Sequence, residues 1–283
     1  MIRRYEETGF TPTRYFAASY DLVQSRRLLR NGSRIPVRQF CMAYRNLSCS
    51  GRMCNVHVGT KMVLTLYKKD TSPPSRAVLM TIHALQIPDV KLINVHLPDG
   101  EQFTEEYLKM NPQHTVPMLK DDDFIIWDSH AICGYLVSKY GNDDSLYPTD
   151  PKKRASVDQR LHFDSGVLFN TLKATVAPVL YTDDKDFRPE NLAKFKECYD
   201  FMEKFLTKSW LAGDEVTIAD ICCVSTISSM NEIVPIDDKQ YPKLTDWWRK
   251  CSEQEFYKKG NAPNILLFRE LIKNKLAEKQ RTV

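Results

Sequence analysis

The sequence predicts an α/β domain with a mixed four-stranded sheet, followed by an all-helical domain. Between residues 63 and 141, apolar runs and helical periodicities follow the order strand, helix, strand, helix, strand, strand, helix. Beyond residue 150 strand signals vanish, and apolar residues recur at three- and four-residue steps. The polar, proline-containing stretch NDDSLYPTD (142–150) separates the two patterns. The expected organisation is a basic extension over 1–61, an α/β domain over 62–141, a linker over 142–150 and a helical domain over 151–283.

Val63–Tyr67 reads as a short buried strand. Pro73 and Pro74 then suit the first turn of a helix, and Ala77, Val78, Met80, Ile82 and Leu85 continue it at near-helical spacing. A second strand lies within DVKLINVHL (89–97). The segment 100–111 reads as a short amphipathic helix with Phe103, Tyr107 and Leu108 inward. Met118–Lys120 and Phe124–Trp127 form a hairpin whose turn is Asp121-Asp122-Asp123. Asp128 or Ser129 caps the next helix, which Gly141 stops. Helical patterns then fill 151–181, 189–207, 217–230, 241–254 and 263–278. Thr217-Ile218-Ala219-Asp220 has the form of a capping box, with Val216 placed for a hydrophobic staple.

The chain has 283 residues, 42% hydrophobic and 27% charged, which suits a protein with a real core. No run approaches the roughly 18 consecutive apolar residues of a membrane span. The net charge of +4 is unevenly spread. Residues 1–60 hold ten arginines against three acids, so the remainder is net negative, and the basic balance gives no argument for nucleic-acid binding by the folded part. An Arg- and Ser-rich, acid-poor start fits a mitochondrial transit segment. It fits equally a disordered tail or a misassigned start, with Met62 the natural first residue. The eight cysteines form no C-x-x-C pair and no histidine cluster has metal-ligand spacing, so free thiols and no metal are expected.

Several short motifs lie in register: SPPSR (72–76), NPQHTVP (111–117), DSHAI (128–132), LYP (146–148), LHFDSGVL (161–168) and GDEVTIADICCV (213–224). Together they resemble the cytosolic glutathione S-transferases, the insect epsilon class foremost and the delta class next, over about residues 62–262. The resemblance implies a thioredoxin-like first domain, a homodimer, a cytoplasmic setting and glutathione as co-substrate. It implies attack of the glutathione sulfur on hydrophobic electrophiles, as in detoxification, with room for peroxidase or dehydrohalogenase side activity.

On this resemblance Ser72 is the catalytic hydroxyl. A free thiol titrates near pH ~8.5, so little of it is thiolate at neutral pH. A donor aimed at the sulfur stabilises the anion, and a helix N-terminus favours negative charge at the same place. The bland alternative is that Ser72 only caps its helix. Val116-Pro117, with a cis proline in the family, would pair with the peptide backbone of glutathione. Asp128 would meet the γ-glutamyl ammonium, and Ser129 at a helix N-terminus its carboxylate. His114 corresponds to a family histidine near the glycyl carboxylate or the cysteinyl backbone. Gln102 stands where many relatives have a second histidine, and His130 where the delta class often has arginine. Ser75 sits where the delta class commonly has cysteine, with no catalytic role assigned.

The electrophile pocket is expected from one face of the helix over 151–181: Phe169, Leu172, Lys173, Val176, Ala177, Leu180 and Tyr181. Leu267 and Phe268 would close its far side. The alternative for each of these residues is plain core. Cys222 and Cys223 read as small buried apolar residues, and Asp220 as part of a cap. A second function class stays open, a non-catalytic relative that binds glutathione or apolar ligands or serves as a scaffold. Thiol–disulfide exchange is disfavoured by serine at both 72 and 75.

Overall fold

The computed structural model describes residues 64–281. The basic extension, and the readings attached to it, lie outside these residues. The α/β part contains β1 (Thr65–Lys68), α1 (Pro73–Ala84), β2 (Lys91–Asn94), α2 (Glu105–Met110), β3 (Met118–Asp121), β4 (Phe124–Trp127) and α3 (Ser129–Tyr140). The sheet order is β2-β1-β3-β4. β1 and β2 are parallel, as the α1 crossover requires. β1 pairs antiparallel with β3, and β3 with β4, with Met118 opposite Trp127. The hairpin turn tightens to Asp122-Asp123, where Asp122 takes φ 56°, a left-handed conformation that aspartate tolerates. Asp121 Oδ2 then accepts from Tyr135 (2.6 Å), Tyr140 (2.6 Å) and Lys139 (2.5 Å), which fastens the hairpin to α3.

The helical part contains α4 (Pro151–Phe163), α5 (Phe169–Tyr181), α6 (Pro189–Phe205), α7 (Ile218–Asn231), α8 (Pro242–Glu253), α9 (Glu255–Gly260) and α10 (Ala262–Arg281). α7 is buried from Ile218 to Met230. Its start is the expected capping box, and Asp220 does more there than cap: it also accepts from Leu211 N–H (2.9 Å) and Trp247 Nε1 (2.8 Å). Burial raises its carboxyl pKa, against these donors. Cys222 and Cys223 are fully buried free thiols, as expected.

Three expectations need correction. The segment 100–111 is a helix only from Glu105; residues 101–103 form a separate tight turn. Of its three inward candidates Tyr107 is buried, but Phe103 is 56% and Leu108 37% exposed. Phe103 falls in that turn, outside the helix, and Leu108 is turned about 100° from Tyr107. The stretch 151–181 is broken by a π-turn over Asp164–Leu168, and α9 precedes the last helix.

The two parts meet at α1, which lies between the sheet and α7 and α9. Arg76 on α1 is fully buried. Its guanidinium donates to Asn261 Oδ1 (2.8 Å), Ser225 carbonyl (3.0 Å), Ser228 Oγ (3.4 Å) and Ser229 Oγ. Burial pushes its pKa down to about 9, opposed by the charges of Tyr257 and Glu232. Nearby, a Cβ on Gly260 would lie 2.7 Å from the Met80 backbone nitrogen, so only glycine lets α9 approach α1 this closely. Replacing Arg76 with Met leaves several buried polar groups unpaired, at about 1–3 kcal/mol each. Gly260→Ala forces a repacking that costs about 1–3 kcal/mol. Both variants are expected to melt several degrees below wild type by calorimetry. An unchanged melting temperature in both would show that this junction does not hold the parts together.

Candidate functional site

Two neighbouring cavities open along the seam between the α/β and helical parts. The larger, about 650 Å³, is walled by Ser72, the 113–117 loop, the start of α3 and the π-turn. The smaller, about 330 Å³, is walled by α5, α10 and the loop after β1. Ser72, Leu97, Pro98, Phe169, Lys173 and Tyr181 line both.

Ser72 is the N-cap residue of α1 by position, in extended conformation, but its side chain makes no capping bond. The Pro73-Pro74 start removes the amides that a cap hydroxyl would first satisfy. The hydroxyl has no partner among the described residues and lies where the two cavities join. Ser75, by contrast, is buried and accepts from Lys69 N–H at 3.2 Å, which shapes the loop carrying Ser72.

The 111–117 loop is built by Asn111, whose Nδ2 donates to the Thr115 carbonyl (2.9 Å), as does the Tyr107 hydroxyl (2.7 Å). These bonds present His114, at φ 46°, and Val116 to the larger cavity. The Val116–Pro117 peptide is cis. The His114 ring packs on Phe103 at 4.9 Å, which explains why Phe103 stays outside the core. Trp127 Nε1 donates to Gln113 Oε1 at 2.8 Å and steadies the loop from β4.

Asp128 caps α3, its Oδ1 accepting from His130 N–H (2.9 Å) and Ala131 N–H (3.2 Å). It does so at φ 74°, ψ 119°, a conformation costing about 1–3 kcal/mol for a residue with a Cβ. Ser129 follows, buried, with its hydroxyl unpartnered among the described residues. His130 Nε2 lies 2.9 Å from Asp164 Oδ2. Burial lowers the His130 pKa, but the hydrogen bond and charge of Asp164 outweigh it and hold the pKa above the ordinary value. Gln102 is buried in the same wall, with Nε2 on the Leu97 carbonyl (3.3 Å).

The two candidate sets thus fall into two adjoining cavities. Ser72, Gln102, His114, Val116, Pro117, Asp128, Ser129 and His130 line the larger. Leu172, Val176, Ala177, Leu180 and Phe268 line the smaller, and Phe169, Lys173 and Tyr181 lie between. Leu267 does not close the far side. It is 50% exposed and lines neither cavity, whereas Phe268 and Leu271 of α10 line the smaller. Asp164 and Ser165 were not foreseen. An unbroken helix does not announce them, and only the π-turn brings both into the wall. Two acceptors there, Asp164 Oδ1 and Gln102 Oε1, are buried without a partner.

The raised His130 pKa means that the pair stabilises the fold fully below the unfolded histidine value of about 6.5, and loses that contribution as pH rises through the folded value. His130→Gln is expected to lower unfolding free energy by about 1–3 kcal/mol below that pH. The deficit should narrow in alkaline denaturant titrations. A deficit that does not change with pH would mean that the pair carries no charge.

Comparison with known proteins gives the same picture. Residues 66–144 match the family profile described as glutathione S-transferase, N-terminal domain, and 150–255 that of the C-terminal domain. Glutathione S-transferase 1 of Manduca sexta is 62% identical over 217 residues, covering 76% of this chain and 100% of the relative. An epsilon-class glutathione S-transferase from housefly, Musca domestica, superposes with TM-score 0.73 at 43% identity, covering 75% of this chain and 98% of that one. A glutathione transferase homolog from Drosophila mojavensis, solved with bound glutathione, gives TM-score 0.73 at 44% identity, with coverage of 76% and 98%. With both domains matched in order and the seam arranged as described, the chain belongs to the glutathione S-transferase family.

Proposed function

We propose that this protein activates the thiol of glutathione and transfers it to hydrophobic electrophiles, and that the larger cavity holds the tripeptide. The observation that carries this is the Ser72 hydroxyl, unspent on its helix and set where the polar and apolar cavities meet. A tripeptide with an ammonium and two carboxylates needs uncommitted polar atoms of both kinds. The wall offers them as acceptors on Asp164 and Gln102 and hydroxyls on Ser72 and Ser129.

The roles follow from chemistry. Ser72 donates to the sulfur and favours its anion. The N-terminus of α1 adds a favourable field. Ser129, at the start of α3, receives the γ-glutamyl carboxylate. Asp128, with Asp164 behind it, faces the ammonium. His114 and Gln102 serve the glycyl end, and Val116-Pro117 the backbone between. The substrate thiolate then attacks an electrophile seated on Leu172, Val176, Leu180 and Phe268. The relatives named above support this reading, and to it we attach a homodimer, a cytoplasmic setting and a role in detoxification. We also place the division between the two domains in the 142–150 linker.

A thiol shift of about two pK units corresponds to about 2.7 kcal/mol, within reach of one charge-assisted hydrogen bond plus a helix terminus. Ser72→Ala is therefore expected to slow conjugation of a chromogenic aryl halide about 25-fold at pH ~7, rising toward about 100-fold below pH ~6. The rate should recover as pH rises past the free-thiol value, with glutathione affinity little changed. Superimposable pH–rate profiles for wild type and variant would remove Ser72 from the chemistry. Glutathione binding without turnover in either would favour a non-catalytic ligand-binding role.

A further inference from the structure

We infer that the smaller cavity is built for an apolar chain that ends in a carboxylate, rather than for neutral hydrophobic compounds alone. This rests on the reading of that cavity as the electrophile side of the site, and it narrows the class of compound that side selects. Three lysines from three separate elements line it: Lys69 after β1, Lys173 on α5 and Lys275 on α10. No aspartate or glutamate lines it. The larger cavity differs, since Asp128 and Asp164 stand in its wall.

Two of the three cations are uncommitted. Neither Lys69 nor Lys173 joins an ion pair with a carboxylate among the described residues, whereas the adjacent Lys68 is paired with Asp70. Lys275 sits 2.8 Å from Glu278 and is the weakest contributor. Beside them the wall is aliphatic and aromatic, from Leu172, Val176 and Leu180 on α5 and Phe268 and Leu271 on α10. A cavity lined by one sign of charge with a low-dielectric floor concentrates ligands of the opposite sign. At about 330 Å³ it stands at the small end of the usual range of about 300–1,000 Å³. One aliphatic chain suits it better than a polycycle. An alkyl carboxylate satisfies both features: the chain covers the floor and the headgroup sits between Lys69 and Lys173.

The bland account is that each lysine lays its methylenes on apolar surface and keeps its charge in solvent. The two accounts differ in what happens to a neutral ligand of the same shape. With the full chain, dodecanoate should displace a bound apolar fluorophore at least about tenfold more tightly than its methyl ester, a margin of about 1.4 kcal/mol. Raising salt from about 0.05 to about 0.5 M should erode that margin and leave the ester unmoved. In a Lys69→Gln, Lys173→Gln double variant, the acid should fall to the affinity of the ester. Equal affinities in wild type, or a margin indifferent to salt, would overturn the inference without any variant having to fold. Because displacement needs no turnover, its outcome is separate from the aryl halide assay. Absence of conjugation there would count against the proposed function, whereas acid and ester binding alike would count against this inference alone.

Discussion

The arrangement depends on one buried cation. Arg76 leaves the sheet side on α1 and ends inside the helical part, where the serines of α7 and Asn261 take up its Nη1 and Nη2 donors and leave Nε unpaired. Among the described residues no carboxylate hydrogen-bonds its guanidinium, so neutral polar groups carry most of the burden of solvating a charge, and the site tolerates little displacement. With Gly260 pressed on Met80 beside it, the seam has one geometry. Ser72 lies one helical turn before Arg76 on the same element. The anchor that joins the two parts thus also sets where the hydroxyl meets the wall contributed by α5.

That economy divides the chemistry cleanly. Irregular backbone supplies the polar half: the 111–117 loop, Asp128 in its strained cap and the π-turn. Regular helix supplies the apolar half, where α5 and α10 need only offer a face. Polar groups for a flexible peptide must be aimed one by one, whereas an apolar wall needs shape and exclusion of water. The strain in Asp128 sits with the polar half, where a group has to be pointed against its local preference.

How much of this could be read from the chain follows the same division. Periodicity gave the sheet, the hairpin, α3 and the helical run, since these rest on spacing alone. The Thr217–Asp220 cap was legible because its two partners are three residues apart. Arg76 was not, as its partners lie about 150 to 185 residues away, and nothing local marks an arginine as buried. Phe103 and Leu108 misled because amphipathic spacing assumes one continuous helix, whereas Phe103 lies in the turn before a helix of only six residues. Phe103 is drawn instead to the His114 ring. The polar candidates come from resemblance and the α5 candidates from their shared helix face, and both sets line the two cavities. Leu267 is turned about 100° from Phe268 along α10 and lines neither cavity.

The π-turn carries a constraint on how this chain can vary. A turn of that kind holds one residue more than the regular helix would need, and each residue advances the helix by about 100°. Losing that one residue would let the stretch close into regular helix with α5 still in register, so the cost would fall on Asp164 and Ser165, which the turn brings into the wall of the larger cavity. Sequence drift along α5 can therefore retune what the apolar half accepts, whereas a change of length in the π-turn falls on the polar half.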